Sequence, residues 1–204
     1  MMVRTFATLA LLFSAGCGGG SAPDSTPPGQ TPPTDYFSGK IAYDEMTALL
    51  AARFNTAFVP PFVEGMPTAG NASYQGYFLA EIQTDPQTTR LLGLATVNAN
   101  FDSGTISGAA SDFVGVDRTG AMDDYSGGVS MTGGSVGVNR PNDFLLPYSG
   151  SLNGNGEIVS LSGTLLGTFK GDPVLGILGE DSAPTTAIDS NPFTGQVNLS
   201  ALGL

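Results

Sequence analysis

The chain of 204 residues carries seven Lys and Arg against eighteen Asp and Glu, a net charge of −11, which disfavours nucleic acid and anionic lipid head groups as partners and leaves a basic protein or a cation. It has no His and no Trp, and its one Cys is Cys17. That composition excludes Ser-His and Cys-His nucleophiles and every zinc, copper or haem site built on His or Cys; carboxylate, Ser/Lys, Ser/Tyr and oxygen-ligated metal chemistry remain.

At the front of the chain, Met1–Arg4 form a short basic start, and Thr5–Phe13 an apolar run too short to stay in a bilayer as a span. The run ends in Ser14-Ala15-Gly16-Cys17, which resembles the lipobox of bacterial lipoproteins, where cleavage precedes a diacylated cysteine. Ser14 departs from the aliphatic residue usual at that position. A solitary cysteine at a signal boundary forms no internal disulfide and is read as the acylation site; ordinary cleavage after Gly16, leaving a free thiol, is the plainer alternative. Residues 1–16 are thus expected to be a signal peptide and Cys17 the lipid anchor. Gly18 is not the aspartate that marks inner-membrane retention in the enterobacterial sorting rule, so the expected location is the outer membrane or cell surface.

Residues 17–35 are rich in Gly, Ser, Thr and Pro and poor in large apolar side chains, the composition of a disordered tether. Losing the signal would remove Arg4 and leave six basic residues, a net charge of −12. Asp44 to about Phe54 places Met46, Leu49, Leu50, Arg53 and Phe54 at helical spacing, with Asp44 and Glu45 where a helix N-terminus favours acids. Residues 36–65 are therefore expected to be a helical preface, closed by Pro60-Pro61 and the Gly65–Gly70 loop.

From Asn71 the period becomes two. Tyr74, Gly76, Phe78, Ala80 and Ile82 face one way and Gln75, Tyr77, Leu79 and Glu81 the other; Leu91–Phe101 repeats the pattern, and Asp102-Ser103-Gly104 turns the chain back into 105–114. Further strands are expected near 125–138, 144–155, 157–169, 173–181 and 193–199. Eight strands at meander spacing, with no helical pattern between them, predict an all-β domain over 66–204, a small antiparallel up-and-down β-barrel in which closure removes exposed edges.

Three stretches resemble a known family. Met66-Pro67-Thr68-Ala69-Gly70-Asn71-Ala72-Ser73-Tyr74-Gln75-Gly76 is similar to the MPxxGxAxYxG lead-in of the barrels of transferrin-binding protein B-like lipoproteins. Ala95–Phe101 followed by Gly104-Thr105-Ile106-Ser107-Gly108 resembles that family's DFxxGTxSG hairpin. Tyr148–Gly154, Leu161–Gly171 and Gly176–Gly179 resemble its glycine-rich end. Covering about residues 64–182, the resemblance implies an eight-stranded barrel on a lipid-anchored outer-membrane or surface protein. It does not imply transferrin binding, because those proteins are two-lobed with handle domains and long gripping loops, and this chain has room for one barrel.

Few residues stand out as sites. Asp102-Ser103-Gly104 matches the triplet of retroviral-type aspartic proteases, yet Asp and Gly are the ordinary residues of a two-strand turn. Asp117, Asp123 and Asp124 gather oxygens that would suit calcium, at a spacing that fits neither an EF-hand nor a nonapeptide calcium repeat; Glu180-Asp181 with Asp189 is no stronger, and Arg53 and Lys170 are isolated charges. Tyr74 and Phe78 share the core face, whereas Tyr77 points away and is a candidate ligand contact. No cofactor, resident metal or catalytic group is expected. The reading is a lipid-anchored binding module for a protein or small ligand; a structural envelope lipoprotein is the second reading, and an enzyme the least favoured.

Overall fold

The computed structural model describes residues 32–54, 66–171 and 174–204, the side chains of 52–54 excepted. The signal segment, Cys17 and most of the tether lie outside the described residues. What is described is one helix and a closed antiparallel barrel of eight strand positions.

The helix, α1 (Tyr36–Phe54), begins eight residues earlier than its apolar spacing predicts. Asp35 is the reason: its Oδ1 accepts the Ser38 backbone N–H at 2.9 Å and its Oδ2 the Ser38 hydroxyl at 2.7 Å, satisfying an orphan donor of the first turn. Asp35 therefore belongs to the helix start and not to the tether. Asp44 and Glu45, expected at the N-terminus, sit mid-helix, where Asp44 pairs with Lys40 one turn back at 2.6 Å.

The barrel runs β1 (Asn71–Gln83), β2 (Thr89–Asn100), β3 (Thr105–Val116), β4 (Met122–Val136), β5 (Asp143–Gly154), β6 (Glu157–Lys170), β7 (Gly176–Asp181), β8 (Thr185–Ile188) and β9 (Asn191–Gly203). Each strand through β6 pairs with the next, and β9 pairs with β1 to close the ring. The segments β7 and β8 fill one position between them. Both lie between β6 and β9, β7 against Leu166–Lys170 and β8 against Val159–Ser162. They are one strand interrupted at 182–184, and the sequence pattern, which stops at 181, misses its second half.

Alternation decides what each wall faces. Inward side chains fill the interior: Phe78 meets Phe113 and Tyr148 at ring-centroid distances of 6.1 and 5.5 Å, and Phe169 meets Tyr74, Phe101 and Phe144 at 5.8, 5.5 and 5.5 Å. Among the described residues, aromatic rings pack across the barrel interior. Outside, the helix crosses the wall and buries Tyr36, Tyr43, Met46 and Leu50 against Tyr77, Leu79, Leu92, Val114 and Val116. The uncovered wall of β4–β6 is polar instead, with Ser130, Ser149 and Ser162 paired in one cross-strand row and Ser151 and Ser160 in the next. An apolar interior and a hydroxyl-rich exterior are the reverse of a membrane-spanning barrel, whose outward band is apolar.

Candidate functional site

The uncovered wall becomes concave where α1 ends its coverage. A groove of about 470 Å³ runs between the helix, at Tyr43 and Thr47, and the β4–β5 loop, at Val138 and Asn139. Strand register fixes its floor. Asp143, Thr168 and Leu178 are successive partners across β5, β6 and β7, and Leu145, Leu166, Glu180 and Asn198 are successive partners from β5 across to β9. Across β5–β7, Thr168 and Leu166 thus hold the middle of the floor, with Asp143 and Glu180 at one pair of diagonal corners and Leu145 and Leu178 at the other. Leu166 is 62 % exposed and, with Leu145 and Leu178, gives the groove an apolar floor open to solvent.

The electrostatics are one-sided, because no Lys or Arg lines the groove. Burial pushes the Tyr43 hydroxyl above its ordinary value; the nearby Thr47 hydroxyl pulls it partly back, and the charges of Asp44, Glu81 and Glu180 add to the rise. The Thr47 Oγ1 is buried and makes no hydrogen bond. Glu180 is held only by a long contact from Gln196 Nε2 at 3.5 Å, so its carboxylate is free to meet a partner. Chemically the groove offers an apolar patch between acceptors.

The residues singled out from sequence go elsewhere. Tyr77 points away from the core as expected, but it is 3 % exposed because α1 lies over it, so it packs the helix and is not a free ligand contact. Asp117 is turned into its own loop: Oδ1 accepts Thr119 N–H at 2.7 Å, the Thr119 hydroxyl at 2.7 Å and Ala121 N–H at 2.9 Å. Burial pushes this carboxyl up, but those hydrogen bonds outweigh it and hold the group below its ordinary value. Asp123 Oδ2 accepts the Asn155 N–H at 2.7 Å and ties the β3–β4 end to the β5–β6 turn. Asp124 borders a shallow hollow with Asp35 and Tyr36. Among the described residues no three such ligands are gathered for a metal ion.

Nearby, Arg118 pairs with Glu157 at 2.6 Å, leaving Glu157 Oε2 and the Tyr125 hydroxyl buried without partners. Burial, then Asp117, Glu157 and Asp123, push Tyr125 up to about 12. Asp102 Oδ2 accepts Gly70 N–H at 3.0 Å and fastens the β2–β3 turn to the chain entering β1. Asp181 and Asp189 are likewise spent, on Thr164 N–H and Ile158 N–H, both at 3.0 Å. Arg53 is a residue of α1 whose side chain is not described, and Lys170 ends β6.

Sequence reading missed the groove, since its residues are scattered over α1, the β4–β5 loop and four strands. One signal pointed there. In Leu165-Leu166 a strict alternation must put one leucine outside, and Leu165 is the buried one.

Fold and groove together define the chain as a filled eight-stranded antiparallel barrel carrying an external, helix-walled groove. Compared with known proteins, it matches no family model and no curated protein sequence.

Proposed function

We propose that this chain is a lipid-anchored binding module of the bacterial outer membrane or cell surface, similar to the barrels of transferrin-binding protein B-like lipoproteins, and that it holds its ligand on the outside of the barrel. The observation that carries the reading is the contrast between a core packed to its axis and the open groove with Leu166 exposed on its floor. The first is filled by aromatic side chains, and the second is open to a ligand. The anchor belongs to Cys17, beyond the described residues, and rests on the lipobox-like sequence. No helix among the described residues is long and apolar enough to cross a membrane.

The test is deletion followed by complementation with wild type or with Leu166→Ser, an exposed position whose change leaves the core intact. A binding module predicts loss of one uptake or adhesion trait that wild type restores and Leu166→Ser does not. Envelope fragility restored equally by both proteins would instead establish the structural reading.

A further inference from the structure

Resting on that reading, we infer that the groove takes a basic segment of a partner protein, with Lys or Arg side chains flanking an apolar one on the same face. The floor is a grid whose dimensions follow from strand pairing. Asp143 and Glu180 stand two strands and one same-face step apart through Thr168, Leu166 and Leu178, which is about 12 Å when strands lie ~4.8 Å apart and same-face residues ~7 Å apart.

In an extended segment the side chains of residues i and i+4 emerge on one face about 13 Å apart, with residue i+2 midway. A sequence Lys-x-Leu-x-Lys laid diagonally would bring a cation to each carboxylate and its leucine onto Leu166. Both carboxylates stand at the groove with no lining cation to neutralise them, and the chain's net charge is −11, so complementary charge steers such a partner in and disfavours acidic ones. Strand addition is not the mode of attachment, since every strand position of the closed ring already has two neighbours. The contacts are made by side chains.

The experiment uses the full chain in phosphatidylcholine nanodiscs, with empty discs as blank, and reads anisotropy of a fluorescein-labelled Lys-Ser-Leu-Ser-Lys peptide. Binding is expected to weaken roughly tenfold for Glu180→Lys and for Leu166→Ser, and to be unaffected by Asp112→Asn, an exposed carboxylate of β3 outside the groove. Peptides with Glu for Lys, or Ser for Leu, should bind at least tenfold more weakly. The inference is overturned if Asp112→Asn weakens binding as much as Glu180→Lys, if the acidic peptide binds as well, or if spermidine alone displaces the probe as effectively as unlabelled peptide. A neutral Ser-Ser-Leu-Ser-Ser peptide binding equally through Leu166 would also overturn it while leaving the binding module standing. Failure of every peptide would overturn it too, and complementation with Leu166→Ser would then decide the broader reading separately.

Discussion

At the scale of single residues, the barrel interior is built by setting aromatic rings on glycines of neighbouring strands. Phe113 lies over Gly93 and Tyr125 over Gly154, each within 2.7 Å of where a Cβ would stand, and Phe144 covers Gly167. Gly167→Ala would drive a methyl group into the Phe144 ring and against the Leu178 carbonyl, so neither neighbour can yield without moving the wall. An overpacking cost of about 1–3 kcal/mol is expected, measurable as a lower urea midpoint at unchanged slope. Asp181 is the second sensitive residue. Its Oδ2 reaches into the gap where the seventh strand is interrupted, accepting the Thr164 N–H and the Tyr148 hydroxyl, both at 3.0 Å. Burial, and then the Asp181 charge, push Tyr148 above the ordinary tyrosine range, so this hydroxyl stays protonated and donates. Asp181→Ala strands both donors and should cost about 2 kcal/mol; Asp181→Asn keeps an acceptor and should cost less. Equal losses in the two variants, measured by denaturation, would show that packing and not the hydrogen bonds holds the gap together.

At the scale of elements, much of the fold was legible, because alternation states which face of a strand is wet. In β1 it separated Tyr74 and Phe78 from Tyr77, and all three point as read. Sequence alone leaves the outer face of β1 open at Tyr77, whereas α1 covers both Tyr77 and Leu79. Two things stayed hidden. The strand β8 is four residues long and follows Pro184 in a stretch dense with turn residues, so periodicity had nothing to count. The helix start was obscured by Gly39, a poor helix former kept because Leu92 Cδ2 and Pro33 Cβ would lie 2.5 and 2.7 Å from any Cβ there. The Asp35 cap gives the helix a pH dependence with a definite sign. Hydrogen bonding to the Ser38 backbone N–H, then to its hydroxyl, lowers the carboxyl below its ordinary 3.8. The cap's contribution is therefore complete above the unfolded value and is lost as pH falls through the lower folded one. The helix stability that wild type holds over Asp35→Ala, followed by far-ultraviolet circular dichroism, should be full above about pH 4 and shrink as pH falls below it; a difference that does not change with pH would mean that the cap carries no charge-dependent part.

At the scale of the whole molecule, helix and barrel fix where an anchor would join. The chain enters α1 beside β3 and β4, where Thr34, Asp35 and Tyr36 border Val114 and Asp123, and leaves it near Gly176 and Leu202, which Leu50 touches at the opposite end of the barrel. The proposed tether therefore arrives at the end that carries Asp117, Asp123, Asp124 and Glu157. That acidic end gives an anionic bilayer no electrostatic hold. The wall of β4–β6 is hydroxyl-rich and unsuited to lipid, and α1 is no membrane span. The proposed membrane attachment therefore rests on Cys17, since no described feature offers another hold. Two or three acyl chains at about 0.8 kcal/mol per buried methylene contribute on the order of tens of kcal/mol, which no other described feature replaces. Cys17→Ser is expected to move the protein from the membrane pellet to the soluble fraction and to abolish labelling by palmitate. The barrel should still fold with the wild-type urea midpoint, because its core begins at Tyr74 and uses no disulfide. A Ser variant that still sediments with membranes, or a wild type that palmitate never labels, would remove the anchor and make the chain an exported domain held by some other contact.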